Sequence, residues 1–83
     1  MKPEQAEVIR IQNRVQALRS DLDLCSTVPD ARSLIGLSRD IQDDIYRTTE
    51  KLDAFIPSLC DLSIATCGLA CEATNREQFL TSD

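Results

Sequence analysis

Val8, Ile11, Val15, Leu18, Leu22 and Cys25 recur in alternating steps of three and four. A strand buries every second residue, whereas steps of three and four line up along one stripe of an α-helix. The residues between them, Arg10, Gln12, Asn13, Arg14, Gln16 and Arg19, are all polar. Ile9 and Leu24 widen the stripe beyond what a single neighbouring helix would cover. Pro3 is tolerated in a first turn, and Glu4 and Glu7 suit the positive end of the helix. The spacing therefore predicts a helix over about 3–24 that must be covered by more than one partner element.

The rest of the chain follows the same period. Thr27 and Asp30 have the T-x-x-D spacing of a capping box, with Pro29 in the first turn. Leu34, Leu37, Ile41, Ile45, Thr48, Leu52, Phe55 and Leu59 then recur at close to 3.6 residues, which predicts a second helix over about 28–55. Gly36 is its weak point, a place for a bend or for close approach of another backbone. Ile56 precedes Pro57 and is biased away from helical geometry. Ser58 and Asp61 repeat the capping spacing, so a third helix is expected over about 59–80. Glycine and proline total five residues, too few for a turn-rich β-protein.

Short connections make neighbouring helices antiparallel, and the expected fold is an all-α, three-helix up-down bundle forming one domain over residues 1–83. Aromatics are only 4% of the chain, so aliphatic side chains must fill a thin core. The thin core, the overlong second helix and the small residues of the third all point to a homodimer. Ala65, Gly68, Leu69 and Glu72 are the expected contacts for that self-association.

The stretch CDLSIATCGLAC, residues 60 to 71, carries three of the four cysteines. At 100° per residue, Cys60, Cys67 and Cys71 fall within an arc of about 40°, with Ile64 on the same stripe. Cys60 and Cys71 are about 16 Å apart along the axis, too far to share one metal ion. Cys67 and Cys71 supply two ligands where zinc wants four, or three plus water. Side chains at i,i+4 are also too far apart for a relaxed disulfide. The cysteines are read as buried small hydrophobes. Asp61 is read as a capping carboxylate rather than a catalytic acid.

No histidine occurs, which removes Ser-His-Asp and Cys-His chemistry. No glycine-rich phosphate loop is present. The residues predict no enzyme, no metal and no cofactor. A net charge of −5 disfavours general affinity for nucleic acid or an anionic membrane. Residues 54 to 71 are near the short limit for a membrane span and contain Pro57 and Asp61, so no span is expected. The opening MKPEQAE has no apolar signal core, and free thiols suit a reducing cytoplasm.

By elimination, the expected function is non-catalytic protein binding, as a regulator, adaptor, chaperone-like partner or inhibitor that works by occlusion. The expected partner face is Asp40, Asp43, Asp44 and Arg47. Two alternatives stand beside it. One is a nucleic-acid-binding helical dimer using the strip of Arg10, Arg14 and Arg19; against it, these arginines would pair with acids of the second helix. The other is a thiol or metal protein built on the cysteines.

Overall fold

A computed structural model describes residues 2–82. The chain is all-α, and three helices form an up-down-up bundle: α1 Pro3–Asp23, α2 Val28–Lys51 and α3 Ile56–Thr81. A single 3₁₀ turn, Asp53–Phe55, joins α2 to α3. The bundle is a rod of 49 × 19 × 15 Å, as expected when every element runs along one axis.

The N-terminal seam packs as its spacing predicts. Val8, Ile11, Val15, Leu18 and Leu22 are all buried, and Cys25 continues the row into the turn. They meet Ala31, Leu34, Ile41 and Ile45 of α2 and Leu59, Leu69 and Ala73 of α3. Each buried aliphatic side chain contributes about 1.5–3 kcal/mol. Four polar residues share this interior. Ser38, Thr48 and Thr66 donate their hydroxyls to the carbonyls of Ile35, Asp44 and Leu62, at 2.7, 2.8 and 2.7 Å. Asp44 is the fourth.

The first turn is set by Thr27, whose hydroxyl accepts the Asp30 N–H at 3.2 Å. Only this half of the expected capping box is formed. Arg76 closes the same end by donating to the Cys25 carbonyl at 3.2 Å, which ties α3 to the α1–α2 turn.

The second junction differs from expectation. α2 stops at Lys51 rather than near residue 55, because Leu52 leaves the helix at φ −125°, ψ 74°. α3 begins at Ile56, upstream of the expected start, and Ile56 itself is helical at φ −53°, ψ −46°. Pro57 explains both shifts. Inside a continuous helix its ring would clash with the carbonyl four residues back, so the chain breaks before it. Once broken, the proline fits the first turn of a new helix, where its missing N–H costs nothing. The Ser58–Asp61 capping box is not made: Phe55 is the cap residue and gives no side-chain bond.

Two arguments about α2 also change. The helix runs unbroken through Gly36, and a Cβ there would meet nothing within 4 Å, so the glycine marks neither a break nor a close approach. With 24 residues against 21 in α1 and 26 in α3, α2 does not overhang the bundle.

The largest correction concerns the cysteines. Cys25 is buried, but Cys60, Cys67 and Cys71 are all exposed. They do share one face of α3, and it is the outer face. The inner face belongs to Leu59, Leu62, Thr66, Leu69 and Ala73, which form their own three-four seam. On a helical wheel the two seams lie roughly opposite. A helix that is apolar nearly all round can bury either side. Larger aliphatic groups gain more from leaving water than thiols do, so the leucine side faces inward.

Candidate functional site

Two regions stand out, a charged clamp between α1 and α2 and an uncovered apolar face on α3.

The clamp is centred on Asp44. Arg10 donates to both of its carboxylate oxygens, at 2.6 and 2.9 Å, and Arg14 adds a third bond at 2.8 Å. Arg10 and Arg14 are one helical turn apart on α1, so both reach the same acid on α2. The Asp44 side chain is 12% exposed, against 50% and 33% for the two arginines. These bonds, led by those from Arg10, hold the Asp44 pKa at about 2, below its ordinary 3.8, although burial opposes them. The same contact raises the Arg10 pKa. A carboxylate held ionised and bonded by two arginines is a structural anchor, with no proton to exchange near neutral pH.

This places the sequence-derived residues as follows. Asp44 leaves the expected partner face and turns into the bundle, while Asp40, Asp43 and Arg47 remain exposed. Arg10 and Arg14 are committed to Asp44, and Arg19 lies 3.7 Å from Asp23 and 3.5 Å from Glu72. Each member of the arginine strip therefore has an acidic neighbour. Of the residues expected to mediate self-association, Leu69 is buried in the core and Glu72 meets Arg19. Ala65 and Gly68 border a shallow groove between α1 and α3 together with Val15 and Gln16.

The second region lies on the outer side of α3. Ile64 is 71% exposed, Phe79 75% and Ile56 38%, and the exposed thiols of Cys60, Cys67 and Cys71 run between them. Across the groove on α2, Tyr46 is 67% exposed. Ile45, Tyr46, Leu59 and Cys60 line an open, mostly apolar depression there, with Gln42, Asp43, Thr49 and Ser63 at its rim. Gln42 is held in place from both ends. Its amide N–H₂ donates to the Ser63 carbonyl at 2.8 Å, and its carbonyl accepts the Ser63 hydroxyl at 2.7 Å. The face therefore has a fixed floor and an apolar ridge.

Between residues 54 and 71, Asp61 is the only charged side chain. The segment Asp53–Thr81 is long and apolar enough to cross a membrane, by length and composition alone. A contiguous exposed apolar patch of this kind ordinarily marks a site of interaction with protein, membrane or ligand. Among the described residues, no group of three or more Cys, Asp or Glu is placed to hold a metal ion.

This face was legible in part. The stripe Cys60–Ile64–Cys67–Cys71 was identifiable from spacing, but its direction was not. The competing seam 59, 62, 66, 69, 73 is the signal that gives the direction, since it holds three leucines against one isoleucine. No protein-family model matches the chain, and no curated protein or solved structure is significantly similar to it.

Proposed function

We propose that this chain is a non-catalytic helical protein-binding module whose binding surface is the outer face of α3 with the adjoining edge of α2. One observation carries the reading: Cys60, Ile64, Cys67 and Cys71 form an exposed strip on α3, beside exposed Tyr46 of α2, while Leu59, Thr66, Leu69 and Ala73 on the other side of α3 are buried. Such a strip is disfavoured in water and favours a second apolar surface. Helix-in-groove and helix-on-helix docking both use anchors at three- and four-residue spacing, which is the spacing here.

The internal engagement of Arg10 and Arg14 supports protein over nucleic acid as the partner class. Phosphates would have to compete with Asp44 for both guanidinium groups. Work by occlusion or bridging, in a reducing cytoplasm, fits a rigid bundle with one apolar side.

The test is capture of partners from the source cell on the immobilised chain, beside an Ile64→Asp variant. Ile64 is exposed, so this change leaves the bundle folded. Partners retained by the parent chain and lost from the variant are expected. Identical capture by both, or RNA retention abolished by Arg14→Glu with helical circular dichroism unchanged, would remove the reading.

A further inference from the structure

Resting on that reading, we infer that the occupant of this face is a second copy of the same chain, docked antiparallel through α3. The outer stripe Cys60, Ile64, Cys67, Cys71 has steps of four, three and four. That series reads the same in both directions. A twofold axis midway between Ile64 and Cys67 therefore sets Cys60 against Cys71 of the second copy, and Ile64 against its Cys67. This is the a-against-d pairing of antiparallel helices. The small side chains let the two backbones approach closely, and the isoleucines fill the centre.

The charges around the stripe favour this orientation. Asp61 lies about 7 Å from the axis along α3, so the two Asp61 carboxylates sit about 13 Å apart along it; a parallel pairing would set them side by side. On α2, Gln42 marks the level of the axis through its bonds to Ser63 and Cys67. Arg39 lies beside Cys71, and Asp43 beside Cys60. The twofold carries Arg39 of one copy toward Asp43 of the other, twice. Neither residue has an ion-pair partner within the chain among the described residues.

The seam itself is neutral, so it offers a charged partner nothing to select. Lipid is a poorer fit. The chain carries −5 overall, and Asp61, Asn75 and the Gln42–Ser63 pair would be stripped of water against acyl chains. Pairing about that axis covers Pro57 to Thr74 of each copy, about 26 Å of helix, and the rod is 19 Å wide, giving about 500 Å² of projected surface per chain. That is the low end for a specific interface, so a dissociation constant of roughly micromolar order is expected.

Sedimentation equilibrium tests the assembly. The expected mass is twice the 9.3 kDa chain at high micromolar concentration, falling to 9.3 kDa for Ile64→Asp with its helical circular dichroism unchanged. Arg39→Asp should weaken the dimer about tenfold, and adding Asp43→Arg should restore it. Orientation is read by brief oxidation with diamide, which takes two hydrogens from a thiol pair and leaves one S–S bond. Peptide mapping should then find Cys60 linked to Cys71 between chains. Cys60–Cys60 and Cys71–Cys71 links would overturn the antiparallel arrangement. A 9.3 kDa species at every concentration, or binding of phosphatidylcholine vesicles in place of self-association, would overturn the second copy as occupant. In the monomeric case, partner capture that still depends on Ile64 would leave the broader protein-binding reading standing.

Discussion

The α1–α2 contact and the outer face of α3 handle their side chains in opposite ways. At the first, a carboxylate and two guanidinium groups are drawn together and all find partners. At the second, isoleucine, tyrosine and three thiols stand exposed to water, and among the thiols Cys67 alone meets a polar partner, the Gln42 amide. Fold requirements account for the first region. Burying a carboxylate without partners would be costly, and two arginines on one turn satisfy it. They do not account for the second, since a bundle this small gains by hiding every apolar side chain it can. The face left uncovered is thus the one whose composition the monomer fold does not explain.

The sharpest way to break this contrast is to cut equivalent groups from the two sides of α3. Leu59 is fully buried on the inner side, and Leu59→Ala should cost about 3 kcal/mol in urea unfolding. Ile64 is on the outer side, and Ile64→Ala should change the stability of the dilute monomer by no more than about 0.5 kcal/mol. Equal costs would mean that the outer face is already packed against something within the chain. At the clamp, Asp44→Ala should cost about 2 kcal/mol, because Arg10 and Arg14 are left facing each other without their acid.

Acid probes the clamp without mutation. The Asp44 pKa is lowered from 3.8 to about 2 in the fold. A depressed carboxylate stabilises the fold fully above its unfolded pKa, and that contribution is lost as pH falls through the folded value. Stability should therefore decline between about pH 4 and pH 2, by about 1–2 kcal/mol from this group once solvent screening of the half-exposed Arg10 is allowed for. In Asp44→Ala this part of the acid dependence should vanish. Urea midpoints at several pH values measure it.

Much of this organisation was legible in the sequence, and the misses have physical causes. The seam from Val8 to Cys25 predicted α1 to within a residue, because apolar and polar positions alternate there without ambiguity. Thr27 was identifiable as a cap for the same reason, since the hydroxyl and its target N–H are local in sequence. The α2–α3 junction was misplaced. Apolar periodicity runs straight through Leu52, Phe55 and Leu59, and nothing in periodicity says that Pro57 breaks the chain five residues upstream of itself. Asp44 was assigned to the exposed partner face, because its partners sit 34 and 30 residues away and depend on how α1 docks. The cysteine face was found and turned the wrong way, because α3 is apolar on both sides and only the relative size of the groups decides which is buried.

The finest probe compares two glycines. Gly36 and Gly68 both sit inside helices, and a Cβ built at either meets nothing within 4 Å. Alanine at each position should stabilise the isolated chain by about 0.5–1 kcal/mol, because glycine leaves more backbone freedom to lose on folding. If the chain stays alone, the two gains match at every protein concentration. With a second copy on the outer face of α3, they should diverge. Gly36 lies on α2, one turn from Arg39 but off the α3–α3 seam, where a methyl meets nothing within 4 Å, so its gain should persist. Gly68 flanks the seam beside Cys67 and Cys71, where an added methyl must fit between two closely approaching backbones. Its gain should therefore shrink or reverse as concentration rises through the dimer range. Thermal melts of the two variants at low and high micromolar concentration give the difference directly, and parallel behaviour would place Gly68 outside any contact surface.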